Sequence, residues 1–241
     1  MRRKGCSLKT PFAPSMRTHQ RGFTLVELLI VVAIIAVIAA IAIPSLLSAR
    51  SSANEKTVAA TLRAIVTAQQ LARTNATIDV NRNGQGEAGS LAELAGYEVL
   101  RGSTSTLRPA VLSASLGDLD ANGYAETHGF YFALYLPDNT GRGIVASNAN
   151  LANVDSSLAE SYWTCVAWPR DRNVQGYGTF FTNQTGDILV AKGATYSGLN
   201  NAPPAGCALL GVPVDQIAAQ ASAAGAADGI GADGNAWRVV P

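Results

Sequence analysis

The chain has few of the residues that carry most catalytic and metal chemistry. Its 241 residues include two His, three Cys and two Met, and 15% of them are charged. His19 lies in the basic N-terminal segment, so His128 is the single His of the remaining chain. A zinc site needs several His or Cys ligands, and a nucleophilic site needs a base beside its nucleophile. Because the sequence also lacks a nucleophile elbow and a phosphate-binding loop, we expect a protein that is not an enzyme.

Acidic residues are missing from the first 22 positions, where positive charge is concentrated. This segment holds six basic residues, which are Arg2, Arg3, Lys4, Lys9, Arg17 and Arg21. Without it, 12 basic residues face 17 acidic ones, a net charge of −5. That balance argues against a nucleic-acid partner, which would require a basic surface. Basic residues beside a membrane span stay in the cytoplasm, so we expect the first 22 residues inside and the rest outside.

Charge is also scarce between residues 25 and 47, an apolar run interrupted only by Glu27, Pro44 and Ser45. About 20 helical residues at 1.5 Å each cross the hydrocarbon core of a bilayer. An ionised carboxylate is costly there, so Glu27 needs a cationic partner. The alternatives are a signal anchor with an incidental Glu or a secretory signal peptide. A signal peptide, however, has a shorter apolar region and a cleavage site after it.

The sequence from Arg21 to Glu27 reads R-G-F-T-L-V-E. It resembles the type IV pilin and pseudopilin signature, in which a prepilin peptidase cuts after the Gly and methylates the new N-terminal Phe. The resemblance is strong over residues 17–55 and architectural beyond them. It implies cleavage between Gly22 and Phe23, N-methylation of Phe23 and assembly into a helical filament. The freed α-amine of Phe23, in the same or a neighbouring subunit, is then the partner expected for Glu27.

The resemblance also implies an α+β, type IV pilin-like fold, with a long N-terminal helix packed on a C-terminal antiparallel β-sheet. The expected parts are a cytoplasmic leader at 1–22, a long helix at 23–75 with its membrane and assembly half at 23–48, and an extracytoplasmic head at 76–241. In pilins, a proline at the position of Pro44 is where the helix can unwind on packing into a filament. The leader is long for the family, and a start at Met16 would make residues 1–15 a start-site misannotation.

Hydrophobic periodicity predicts the rest of the helix and the sheet. Residues 49–73 contain no Gly or Pro, and Val58, Leu62 and Ile65 recur at three- and four-residue steps, as on one face of a helix. Residues 90–93 form a capping box that predicts a short helix. Apolar or alternating runs predict antiparallel strands at 129–136, 163–168, 178–182 and 187–191, the last two joined by a turn at 183–186. We also expect a weak helix at 214–227 and a mobile or metal-ordered loop at 228–235.

The cysteines left after loss of the leader are Cys165 and Cys207. An even number of cysteines on the oxidising side of the membrane favours one disulfide between them. The alternative is two free, buried thiols.

Two loops have oxygen-bearing side chains at alternate positions and Gly at the sixth, as calcium loops do. The candidate ligands are Asp79, Asn81, Asn83 and Glu87 in the first loop and Asp118, Asp120, Asn122 and Glu126 in the second. The bidentate Glu of an EF-hand is replaced by Ser90 and Gly129, so only a reduced calcium site with a ligand from elsewhere is expected. The second loop has three carboxylates and is the better candidate. The alternative is a pair of tight turns closed by local hydrogen bonds.

These observations predict a structural subunit of a type IV pilus or pseudopilus-like filament. It would be inserted in the inner membrane, matured by prepilin peptidase, and assembled with copies of itself or related pilins by the pilus or secretion machinery. Adhesion, motility and secretion all remain open as its role, as do a major pilin, a minor pilin and a pseudopilin. The alternative is a membrane-tethered extracytoplasmic binding module that does not polymerise.

Overall fold

The structure is a computed structural model that describes residues 22–218 and 229–240. Tertiary contacts divide the chain into two compact units, Met1–Ser45 and Leu46–Pro241. A 50-residue helix, α1 (Leu25–Thr74), contributes its N-terminal part to the first unit and its C-terminal part to the second. Its bounds confirm the long N-terminal helix predicted from the sequence.

In the described part of the first unit, α1 exposes apolar side chains around its whole circumference. Leu25 is 77% exposed and Ile41 is 73% exposed, and the most apolar window of the helix has no buried residue. The helix is long and apolar enough to cross a membrane. A helix suits that environment because its backbone groups hydrogen-bond to one another. Pro44 lacks a backbone N–H, yet α1 continues through it.

In the second unit, α1 buries one stripe of side chains. Val58, Leu62 and Ile65 are at most 1% exposed, which confirms the predicted three- and four-residue spacing. The buried Gln69 lies on the same stripe. Its side-chain amide donates to the carbonyl of Gly89 at 2.7 Å and accepts from the Gly89 N–H at 3.0 Å. This pair of bonds joins the helix to the segment that follows it.

Within the described residues, seven strands form one antiparallel sheet. They are β1 (Ala125–Thr127), β2 (Phe130–Pro137), β3 (Gly143–Val145), β4 (Thr164–Pro169), β5 (Thr179–Asn183), β6 (Leu189–Ala191) and β7 (Arg238–Val239). The order is β1-β2-β4-β5-β6-β7, and β3 pairs with β2 on the same side as β1. The connections carry α2 (Leu91–Leu94), α3 (Ala114–Gly117), α4 (Ser156–Ala159) and a 3₁₀ turn (Leu151–Asn153). The α+β, pilin-like layout predicted from the sequence is therefore confirmed.

The two faces of the sheet carry separate cores, because successive residues of a strand point to opposite sides. Phe130, Phe132 and Leu134 of β2 pack with the buried stripe of α1. The alternate residues Tyr131 and Tyr135 belong to a second core on the other face. This second core includes side chains between residues 194 and 217 together with Trp237. Both faces of the sheet are thus covered.

Local signals predicted two smaller features well. Ser90 caps α2 by accepting from the Glu93 N–H, and the Glu93 carboxylate accepts from the Ser90 N–H in return. The predicted turn between β5 and β6 is closed by a hydrogen bond from the Gly186 N–H to the Asn183 carbonyl at 3.0 Å.

Other expectations need correction or lie outside the described residues. The predicted leader at 1–21 lies outside them, as do residues 219–227 of the predicted weak helix. Residues 214–218 form turns and a bridge instead of a helix. From residue 229 onwards the predicted mobile or metal-ordered loop is a turn held by protein groups, because Asp233 accepts bonds from Asn235, Tyr196 and Trp237.

Candidate functional site

Glu27 has a partner within its own chain. Thr24 is the residue before α1, and Glu27 is the third residue of the helix. Oε2 of Glu27 accepts from the Thr24 backbone N–H at 2.9 Å and from the Thr24 hydroxyl at 2.8 Å. The Thr24 hydroxyl in turn accepts from the Glu27 N–H at 3.2 Å. This is a capping box, which satisfies helix N–H groups that would otherwise lack acceptors.

The capping box was missed in the sequence analysis, although its signal is present. T-L-V-E at residues 24–27 matches the S/T-x-x-E spacing of a capping box. Both described bonds to the carboxylate reach Oε2, which leaves Oε1 available for a cation. In the unprocessed chain the nitrogen of Phe23 belongs to the peptide bond with Gly22 and carries no charge.

The first predicted calcium loop is a set of turns closed by its own side chains. Asp79 accepts from the N–H groups of Asn83 at 3.1 Å and Gly84 at 3.0 Å. The side-chain amides of Asn81 and Asn83 both donate to Oε1 of Glu160, at 2.8 and 2.7 Å. These bonds are the local alternative that the sequence analysis left open.

Glu87 is completely buried, and protein groups contact both of its carboxylate oxygens. One oxygen accepts from the Val80 N–H at 2.7 Å, and the other pairs with Arg101 at 3.4 Å. Arg101 also pairs with the buried Glu93 at 3.2 Å. Burial raises the pKa of Glu87, while the Val80 N–H and the Arg101 charge lower it. Two carboxylates thus share one guanidinium inside the protein, an arrangement that the sequence analysis did not predict.

In the second loop the candidate side chains come together only in part. Asp118, Asp120 and Glu126 line one cavity of about 460 Å³ with Tyr124 and Tyr131. Asp120 accepts from the N–H groups of Asn122 and Tyr124, both at 2.9 Å.

Glu126 is already paired, since one of its carboxylate oxygens lies 2.7 Å from Arg170. Throughout residues 22–218 and 229–240, no three His, Cys, Asp or Glu side chains are grouped as metal ligands. Calcium binding stays a prediction.

The two cysteines belong to different cores. Cys165 of β4 packs in the core that faces α1, and Cys207 packs in the core on the other face of the sheet. Both thiols are buried and free, so the structure does not contain the disulfide favoured by the sequence. The sheet itself separates them, because neighbouring residues of β4 point to opposite faces. Burial raises the pKa of both thiols, which keeps them protonated and unreactive.

Comparison with protein-family models matches residues 17–43 to the prokaryotic N-terminal methylation motif. No curated protein and no solved structure shows a significant match. This motif supports the type IV pilin and pseudopilin signature at the N-terminus, and the α+β layout of the chain is pilin-like. Those families supply structural subunits. The matched segment also contains the apolar part of α1 that fits a membrane anchor.

Proposed function

We propose that this protein is a structural subunit of a type IV pilus or pseudopilus-like filament. A prepilin peptidase cleaves it after Gly22 and methylates Phe23, and its N-terminal helix then packs with other copies. The methylation motif at residues 17–43 is the observation that carries this proposal. The exposed apolar surface of α1 supports it independently.

The apolar helix provides the driving force for assembly. Residues 25–47 suit lipid, and their large apolar side chains are exposed in the part of the chain that the structure describes. Burying a large aliphatic side chain is worth about 1.5–3 kcal/mol. With about 20 such residues, a subunit that leaves the membrane is stable only when other apolar helices surround it. The contact is heterologous and repeats without closing, which gives a helical filament.

Glu27 sets the register of that packing. Cleavage after Gly22 turns the nitrogen of Phe23 into a charged amine four residues before Glu27. Thr24 donates to Oε2, so we expect Oε1 to accept from the α-amine of the same or a neighbouring subunit. A subunit shifted along the axis would leave a charge unpaired in an apolar surrounding, which is strongly unfavourable.

The test is mass analysis and N-terminal sequencing of the full chain recovered from cells that contain the peptidase and the assembly machinery. We expect a chain that begins with N-methyl-Phe23 and is abundant in filaments sheared from the cell surface. Glu27→Ala should insert in the membrane and be cleaved, yet yield few filaments. A chain that keeps its first 22 residues would refute processing. A processed chain that stays monomeric, with Glu27→Ala equally functional, would favour the membrane-tethered binding module instead.

A further inference from the structure

The lysines of the protein are confined to one place once the first 22 residues are removed. Lys56 and Lys192 are then the only lysines of the chain. Although 136 positions apart, both line the same cavity of about 350 Å³, together with Arg63. Lys56 and Arg63 come from α1, and Lys192 directly follows β6. We call this the basic cavity.

The single acid of the basic cavity is already engaged. One oxygen of Glu55 accepts from the N–H groups of Tyr177 at 2.9 Å and Gly178 at 3.0 Å. Lys56 and Lys192 are exposed, and the cavity lining also includes apolar side chains such as Phe180 and Val190. The cavity therefore presents ammonium groups to a partner, next to apolar side chains of its lining.

A cavity of opposite charge lies at the other edge of the sheet. Asp118, Asp120 and Glu126 line it, and Glu126 belongs to β1, the strand at one end of the order. The basic cavity lies towards the opposite end, because its lining includes Phe180 of β5, Val190 of β6 and Val240, which directly follows the last strand, β7. Of the three carboxylates, Glu126 pairs with Arg170, whereas Asp118 is exposed at the C-terminus of α3. We call this the acidic cavity.

A buried tyrosine shows that the acidic cavity is more than a cluster of surface acids. Tyr131 is 8% exposed and lines the cavity, and its hydroxyl makes no hydrogen bond within the described part of the chain. Its ring packs on Trp168 with centroids 5.7 Å apart, and the Tyr124 ring meets the same indole at 4.9 Å. Phenol oxygens accept hydrogen bonds from ammonium groups, and aromatic faces attract cations.

We infer that the acidic cavity of one subunit receives a lysine of the basic cavity of the next subunit. This inference rests on the proposed filament and names the contact between its heads. The calcium predicted for Asp118, Asp120 and Glu126 fits the cavity less well, because Glu126 is neutralised by Arg170 and the acids do not group as metal ligands. Because the two cavities lie at opposite edges of the sheet, each head supplies a lysine from one edge and receives the lysine of another head at the other edge. Such a contact repeats without closing, as a filament requires.

Carbodiimide cross-linking of sheared wild-type filaments tests the contact directly. The reagent joins a carboxylate and an amine in an amide bond, and takes up the lost water as it becomes a urea. We expect a ladder of covalent multimers, with cross-linked peptides that join Lys56 or Lys192 to Asp118 or Asp120. The double variant Lys56→Arg, Lys192→Arg is the matched control, since it keeps both charges but removes both primary amines. It should form filaments as before and lose these cross-links.

Charge reversal tests whether the contact stabilises assembly. Asp118→Lys and Lys192→Asp should each lower filament yield by roughly three- to ten-fold, as expected when an exposed ion pair becomes a like-charge pair. Combining the two reversals in one chain should restore the yield. Arg108→Glu, a reversal at an exposed residue outside both cavities, should have no effect.

The possible failures are distinguishable. Wild-type chains that are processed but form no filaments would overturn the proposed function together with this inference. Wild-type filaments that lack the lysine–aspartate cross-links, or both reversals at full yield, would overturn this inference alone. Cross-links from Asp118 to a different protein would also overturn it, and would assign the acidic cavity to that partner.

Discussion

Replacing Arg101 with Met should destabilise the head more than the loss of almost any other charge. Arg101 is the guanidinium that pairs with both Glu87 and Glu93, and both glutamates are completely buried. It also donates to the Ala88 carbonyl. Removing one partner of a buried ion pair costs about 3–5 kcal/mol, because the remaining charge stays buried without compensation. Backbone N–H groups of Val80, Ser90 and residue 101 itself still bind the carboxylates, which limits the loss.

That loss is large against a total stability of about 5–15 kcal/mol. For a head of this size, 1 kcal/mol shifts the midpoint temperature by about 2–4 °C, so we expect a drop of about 10 °C. Trp163, Trp168 and Trp237 are all buried, and their fluorescence reports unfolding of the full chain in detergent. Arg108→Met is the matched control, because that arginine is exposed.

The loss of stability caused by Arg101→Met should also depend on pH. Burial raises the pKa of Glu87 above its usual 4.5. A carboxyl group whose pKa is higher in the folded state stabilises the fold below its unfolded pKa, and that contribution is lost as the pH rises through the folded pKa. Without Arg101 the folded pKa rises further, so the variant should approach the wild type on acidification towards pH 5. A midpoint within 1 °C of wild type, or a deficit equal at pH 5 and pH 8, would refute the reasoning.

Three further predictions follow from the site and the core. Alkylation without reductant should modify both Cys165 and Cys207 in denaturant, and neither in the native chain. If neither cysteine is modified in denaturant, the two thiols form the disulfide that the sequence favoured. Leu62→Ala should cost about 2–5 kcal/mol in urea unfolding, because Leu62 is fully buried against the sheet, whereas the exposed Leu71→Ala should cost little. Calcium titration of the full chain should give the same result for wild type and Asp118→Asn, because Glu126 is already paired with Arg170; a calcium heat that Asp118→Asn abolishes would assign the ion to the second loop.

Local sequence was sufficient for several features of the fold. The spacing of Val58, Leu62 and Ile65 predicted which face of α1 is buried, because a helix brings residues three and four apart together. Ser90 and Glu93 predicted the start of α2, since a capping box needs only those two side chains. The run at residues 129–136 predicted the strand that the structure has as β2. In each case the interacting groups are close in the chain.

Features that depend on distant residues could not be predicted in the same way. Glu87 was assigned to a calcium loop from its spacing, but Arg101, fourteen residues later, holds it inside the protein. A disulfide between Cys165 and Cys207 was predicted only because two cysteines remain after loss of the leader. In the structure the sheet lies between them. Thr24 and Glu27 are the exception. Their spacing, S/T-x-x-E, is visible in the sequence and needs no distant residue.

The membrane-competent helix, its carboxylate and the methylation motif follow from consecutive residues, because length, apolarity and spacing along one helix are properties of the chain itself. Tertiary structure alone decided which charged groups meet: the two glutamates on Arg101, the two lysines in one cavity, and the acids gathered around Tyr131. The physical reason is that these groups come from segments brought together by burial of the apolar stripe and the sheet faces. Their distances and desolvation exist only after that packing has formed.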